Sequence, residues 1–284
     1  MRAALLTALA MLAFAGNSLL CRMALKLTAV DAASFTSVRL VSGALALWLL
    51  VRLRSGARTK STAYGNWGSA LALFAYAALF SYAYVGMTAA TGALLLFGAV
   101  QASMIGWGLA HGERLRPLQT LGFVAALAGL AALMLPGFAT PQSGVALAML
   151  GAGVAWGVYS LRGKASIPGQ AADPLATTCG NFVRTVPMAV ALSAVALPSM
   201  QLDSAGLALA VASGAITSGL GYAVWYRALP ALAATQAATV QLSVPVIAAV
   251  GGVLILGETF TWQLLVSSVA ILGGIALVMR KPAD

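Results

Sequence analysis

Long apolar runs, most near twenty residues, alternate along the chain with short gaps that hold nearly all the charge. A helix rising about 1.5 Å per residue crosses about 30 Å of hydrocarbon in roughly 20 residues. Ten runs meet that length: 3–21, 32–51, 66–84, 88–109, 118–135, 143–161, 175–197, 205–226, 231–256 and 261–279. The third and fourth are almost continuous, with only Gly86, Met87 and Thr88 to mark a turn. The longest gaps, 52–65 and 162–174, leave no room for a soluble domain. Unpaired backbone amides are too costly in lipid for anything but helices or a closed barrel, and these runs are too long and unbroken for barrel strands. The predicted fold is an all-α polytopic membrane protein with ten transmembrane helices.

Composition agrees. The 284 residues are 61% hydrophobic and 8% charged, against about 25% charged in soluble domains. The net charge of +10 would suggest nucleic acid in a soluble chain. Here the cations sit between apolar runs, so a bilayer is the expected partner and nucleic acid is not. Arg2, an apolar stretch and Ala13-Phe14-Ala15 resemble a cleavable signal. However, Ala8-Leu9-Ala10-Met11-Leu12 recurs as Ala146-Leu147-Ala148-Met149-Leu150, which favours a retained helix. Cys21 and Cys179 lie within apolar runs and read as small apolar side chains.

Lys and Arg of short loops stay on the cytoplasmic side. With the N-terminus inside, twelve cations fall inside and only Arg22 and Lys26 outside. Both termini are therefore expected to be cytoplasmic. The internal echo also extends along the chain. Ala89-Ala90-Thr91-Gly92-Ala93 matches Ala233-Ala234-Thr235-Gln236-Ala237, Gly112-Glu113 matches Gly257-Glu258, Gln119 matches Gln263, and Gly129 matches Gly273. Offsets run from 138 to 145 residues in one order. The chain thus reads as two five-helix repeats, 1–137 and 138–284. Five is odd, so the second repeat enters the membrane inverted, a plan that recurs in secondary transporters with midplane substrate sites.

Catalytic side chains are nearly absent at depth. All six carboxylates lie in loops or at helix ends, and the single histidine, His111, reads as an interfacial cap. No metal-ligand cluster or phosphate-binding loop is present, so neither an enzyme nor a metal or other cofactor is expected. Proton-driven carriers usually keep an ionisable group at depth, and its lack favours facilitated transport.

The neutral polar residues at depth are Asn17, Gln101, Gln236 and Gln241. Gln101 shares a helical face with Phe97, the repeat counterpart of Gln241. Tyr82 pairs with Tyr222 across the repeat, Trp225 shares a face with Tyr222, and Trp156 shares one with Tyr159. Together they suit a cavity for a small, partly apolar solute. The same residue types also bond between helices and belt the interface. Arg39 and Arg184 are the only charges well inside runs. Each reads either as a structural cation holding helix-end carbonyls or as an anion contact; Arg39 is near enough to one end to snorkel, and Arg184 lies deeper. Glycine pairs such as Gly273 and Gly274 allow close helix approach, and Pro187, Pro230 and Pro245 are candidate kinks.

Two inverted five-helix halves, each with a Gly-Glu pair before its last helix, resemble the drug/metabolite transporter superfamily. The closest branch resembles the EamA family, and within it the YddG-type amino-acid exporters. The resemblance implies a central cavity walled by helices 1, 3, 4, 6, 8 and 9. It also implies export of amino acids or other small metabolites by alternating access across a bacterial inner membrane, by a multi-pass protein taken as a monomer. Sugar-phosphate or nucleotide-sugar carriage and proton-coupled drug export are the alternatives within the superfamily. Asn17 stands where small multidrug exporters of this superfamily keep a buried glutamate, which weakens the drug-export alternative.

Overall fold

In a solvent that offers no hydrogen bonds, a helix satisfies its backbone within each segment. The computed structural model describes residues 2–55, 64–112, 115–134, 142–164, 173–228 and 240–278, and among them no strand occurs. The first half holds α1 (Arg2–Leu27), α2 (Ala32–Ser55), α3 (Trp67–Val85), α4 (Ala89–Ala110) and α5 (Pro117–Met134). The second holds α6 (Ser143–Lys164), α7 (Pro174–Ala196), α8 (Ser204–Ala228), α9 (Ser243–Leu256) and α10 (Trp262–Val278). Seven of these, α1–α4 and α6–α8, are long and apolar enough to span a membrane, while α5, α9 and α10 are shorter apolar helices. The chain is a polytopic helical membrane protein.

Helix starts follow local chemistry, because a short polar side chain satisfies the orphan amides of a first turn. Asn66 accepts from the Ser69 amide at 2.8 Å, Thr88 from Thr91 at 3.2 Å and Asp173 from Leu175 at 3.0 Å. The expected turn between the third and fourth runs falls at Gly86–Thr88, with Gly86 capping α3 and Thr88 opening α4. Pro187 lies inside α7, which continues through it. Helical residues 240–241 break at Leu242, just ahead of Pro245. A proline there has no N–H for the carbonyl of Gln241 and crowds it sterically. Pro230 and the expected repeat boundary near 137–138 fall outside the described residues.

One feature of α8 has no counterpart in the expected helix list. Residues Ala212–Leu220 are wound as a π-helix between the α-helical ends Ser204–Val211 and Gly221–Ala228. This segment packs on α2, where Gly214 lies so close to the Arg39 carbonyl and the Ser42 hydroxyl that a Cβ would not fit.

Helices α1–α5 pair with helices of the α6–α10 set. α2 packs on α7, α4 on α9 and α5 on α10, while α3 packs on α6 as α1 packs on α8. At the start of α5, Gln119 Nε2 donates to the Val278 carbonyl at the end of α10 at 2.9 Å. Reciprocally, Gln263 Nε2 at the start of α10 donates to the Ala132 carbonyl near the end of α5 at 3.0 Å. These two helices therefore run antiparallel. Gly122 and Gly274 let their backbones meet, since a Cβ on Gly122 would lie 2.5 Å from the Gly274 oxygen.

The α1–α2 and α7–α8 connections are stapled by two aspartates. Asp31 accepts from the Ala33 and Ser34 amides at 2.9 Å and from the Gln201 amide at 2.9 Å. Asp203 accepts from the Ala205 amide at 2.8 Å and from the Ala29 amide at 2.9 Å. Partial burial alone would push the Asp31 carboxyl up, but the Ser34 hydroxyl and the three amides outweigh it and hold it below its ordinary value. The Gly206 amide, with the Thr28 hydroxyl and the Ala205 and Ala29 amides, does the same for Asp203. A depressed carboxylate pKa contributes stability above the unfolded pKa, about 3.9, and loses it as pH falls through the folded value. Thermal unfolding in nanodiscs is therefore expected to be flat from these groups between about pH 7 and pH 5 and to decline below about pH 4. The Asp31→Asn/Asp203→Asn double variant should show a shallower acid decline.

Candidate functional site

At the centre of the bundle, helices from both halves surround a polar knot inside an aromatic wall. Tyr76 of α3 is its hub. The Tyr76 hydroxyl accepts from Arg39 Nη2 of α2 at 3.2 Å and from Asn17 Nδ2 of α1 at 3.3 Å. Asn17 Oδ1 in turn accepts from Ser213 Oγ at 2.7 Å and Thr217 Oγ1 at 3.4 Å, both in the π-helical stretch of α8. The neighbouring Ser218 Oγ accepts from Arg39 Nε at 3.4 Å and closes the loop. All of these residues are buried. A polar group in such a low-dielectric interior is costly unless paired, so the knot ties α1, α2, α3 and α8 together.

The aromatic wall centres on Trp156 of α6. Its ring lies 4.8 Å from that of Tyr76, 5.1 Å from Tyr222, 5.6 Å from Tyr159 and 6.4 Å from Phe14. Phe14 also meets Trp225 edge-on at 5.8 Å. Between the wall and the knot lies a cavity lined by Asn17, Ser18, Tyr76 and Thr217 on its polar side. Phe14, Phe80, Leu96, Phe97, Trp156 and Tyr222 form its apolar side. The cavity measures about 20 Å³, room for one water and not for a metabolite.

Of the residues singled out from sequence, Asn17, Phe97, Trp156 and Tyr222 line this cavity, and Tyr159 and Trp225 pack directly behind its rings. Gln101 is buried in α4 but outside the lining, and Gln241 is half-buried beside the break at Leu242. Gln236 lies outside the described residues. Tyr82 is 46% exposed and takes no part in the lining. The two arginines differ in burial and in partners. Arg39 does not snorkel: it is 2% exposed, and its guanidinium lies 4.9 Å from the Phe80 ring centre and 5.3 Å from that of Tyr76. Arg184 is the less buried of the two and donates to the Tyr64 carbonyl at 2.6 Å and the Gly180 carbonyl at 2.9 Å. His111 caps the C-terminus of α4 and stacks on Trp107.

One end of the bundle carries an ion pair. Arg22 Nε meets Glu258 Oε1 at 3.1 Å, with side-chain exposures of 14% and 4%. Arg22 Nη1 also donates to the Tyr84 and Val85 carbonyls at the end of α3. Glu258 Oε2 accepts the Ala89 amide at the start of α4 at 2.8 Å. Gly257 holds φ +61° at the end of α9, a left-handed conformation that suits glycine and turns Glu258 back into the bundle. The Gly-Glu pair of the second half thus joins α1, α3, α4 and α9. Elsewhere, Arg162 of α6 donates to Asn66 Oδ1 at 3.0 Å and Ser69 Oγ at 3.3 Å.

The described residues form an apolar helical bundle with a small central cavity lined by neutral side chains and an ion pair at one end. The EamA-like transporter family profile matches residues 143–280. The chain is 56% identical to the uncharacterised protein PA1977 of Pseudomonas aeruginosa, over 98% of this chain and 94% of that one. It is 31% identical over 147 residues to the threonine/homoserine exporter RhtA of Salmonella typhimurium, about half of each chain (49% and 48%). A solved crystal structure superposes over 97% of this chain and 96% of its own with a TM-score of 0.65 at 19% identity, a likeness of fold. The chain belongs to the EamA-like family of the drug/metabolite transporter superfamily.

Proposed function

We propose that this protein exports amino acids or similarly small metabolites across a bacterial inner membrane, by alternating access between two inverted five-helix halves of 1–137 and 138–284. The observation that carries the reading is the cavity itself. Neutral hydrogen-bonding groups, Asn17, Tyr76 and Thr217, face an aromatic wall supplied by both halves, deep in an apolar bundle. Such a lining suits a solute with one polar and one apolar end. The similarity to RhtA, named as a threonine/homoserine exporter, supports the amino-acid class. The antiparallel α5–α10 pair and the like-with-like helix pairing support inversion. With both termini cytoplasmic, the Arg22–Glu258 latch falls on the outer side. A cavity of about 20 Å³ then belongs to a state that must open further to admit solute. No carboxylate or histidine lines the cavity among the described residues, which favours facilitated movement.

The test is counterflow of labelled L-amino acids into liposomes holding the purified full chain. Saturable uptake of at least one amino acid is expected, and protein that moves none of them overturns the reading. Trp156→Ala removes the ring that touches Phe14, Tyr76, Tyr159 and Tyr222. It is expected to lower the transport rate by about tenfold or more, equivalent to about 1.4 kcal/mol of lost solute interaction.

A further inference from the structure

A guanidinium inside a membrane-spanning bundle costs several kcal/mol unless it is paired, hydrated or faces an aqueous cavity. Arg39 is buried, and no anion pairs with it among the described residues. Among the described residues, Asp31, Asp173 and Asp203 are engaged in capping α2, α7 and α8, and Glu258 is paired with Arg22. The contacts of Arg39 among the described residues are neutral: the Tyr76 and Ser218 hydroxyls and the faces of two rings. Its Nη1 is fully buried with no hydrogen-bond partner among the described residues. An orphaned charged donor is the most expensive kind to leave unmet.

The position of that charge matters. Tyr76 and Phe80, on which the guanidinium rests, both line the cavity, and so does Thr217, the neighbour of Ser218. One positive charge therefore sits a single side chain behind the polar wall, opposite the aromatic one. We infer that Arg39 is the anion-recognising residue of the transport site: it receives a solute carboxylate, while the apolar part of the solute rests on Trp156, Phe97 and Tyr222. This assignment rests on the exporter reading and narrows it to solutes bearing a carboxylate. One fixed cation matches one monoanionic carboxylate. A phosphate dianion would leave a buried negative charge unmatched, as no second cation borders the cavity among the described residues. A guanidinium also offers paired N–H donors in the spacing of carboxylate oxygens, which an ammonium does not.

Counterflow in liposomes with the full chain tests this by comparing L-amino acids with their α-carboxamides, which lack only the anionic group, and with glucose 6-phosphate. Amino acids should move at least tenfold faster than the matching amides. Arg39→Gln should abolish that preference, and Arg39→Lys should retain part of it. If Arg39→Gln does not fold, the wild-type comparison of acid with amide tests the need for a carboxylate, and the acid preference of Arg39→Lys, which should fall below that of wild type, tests the residue. Amides carried as fast as acids would overturn the role of Arg39 and leave the exporter reading standing. A folded Arg39→Gln that keeps the preference would do the same. Carriage of glucose 6-phosphate in place of amino acids, or of nothing at all, would remove both.

Discussion

Glu258→Gln is expected to destabilise the protein by about 3 kcal/mol, at the lower end of the roughly 3–5 kcal/mol seen when one partner of a buried ion pair is removed. The lower end applies because the Arg22 side chain keeps 14% of its exposure and two backbone carbonyls. The glutamine still offers an oxygen to the Ala89 amide, so the loss is chiefly that of the charge facing Arg22. Unfolding in detergent, followed by near-ultraviolet circular dichroism, measures it. Adding Arg22→Gln should recover most of the loss, because the double variant leaves no unpaired cation. If the single and double variants are equally destabilised, the pair is not the main bond at that end. The same variant separates stability from transport. In the proposed alternating-access cycle, weakening this ion pair should shift the population toward the state open on its side.

How much of this was legible in sequence depends on what hydropathy encodes. Helix positions were readable because a bilayer demands length, and the breaks fall at Gly86, Asp173 and Asp203, whose chemistry ends or caps helices. Gln119 and Gln263 stood out in the sequence as a matched pair, and each donates to a carbonyl near the far end of the other's helix. Faces were harder. A helix apolar all round carries no amphipathic signal to say which side meets a cavity. Tyr82 was selected through its repeat mate Tyr222, yet Tyr222 follows a π-helical stretch. A π turn closes i to i+5 and rotates everything after it relative to an uninterrupted helix, so matching positions in α3 and α8 face different ways. A stripe within α3 was the better guide. Tyr76, Phe80 and Tyr84 recur every four residues on one face and are all buried. Tyr82, two residues beyond Phe80, lies about 200° around the helix from it. The hydroxyls of Ser213, Thr217 and Ser218 were overlooked for a related reason. In membrane helices such groups commonly bond their own backbone, as Thr217 Oγ1 does to the Ser213 carbonyl at 2.8 Å, and only the fold reveals that they also meet Asn17 and Arg39.

That hub permits a sharp contrast between two tyrosines of one helix. Tyr76→Phe removes a hydroxyl that accepts from Arg39 at 3.2 Å and Asn17 at 3.3 Å. Each buried donor left unmet costs about 1–3 kcal/mol, and more if charged, so a loss of about 3 kcal/mol or more is expected in the same unfolding measurement. Tyr82→Phe alters a ring 46% exposed and should stay within about 0.5 kcal/mol of wild type. The remedy should be selective. Pairing Tyr76→Phe with Asn17→Leu removes one orphan but strands the Ser213 and Thr217 hydroxyls that Asn17 Oδ1 accepts from, and it leaves the arginine unmet. Pairing it with Arg39→Met removes the charged donor and fills its space, so more of the stability should return. Transport should not return with it, because the second double variant has lost the only cation beside the cavity among the described residues. Stability and transport moving in opposite directions in that one protein would mean that the buried charge is retained for recognising solute, at a cost to the fold.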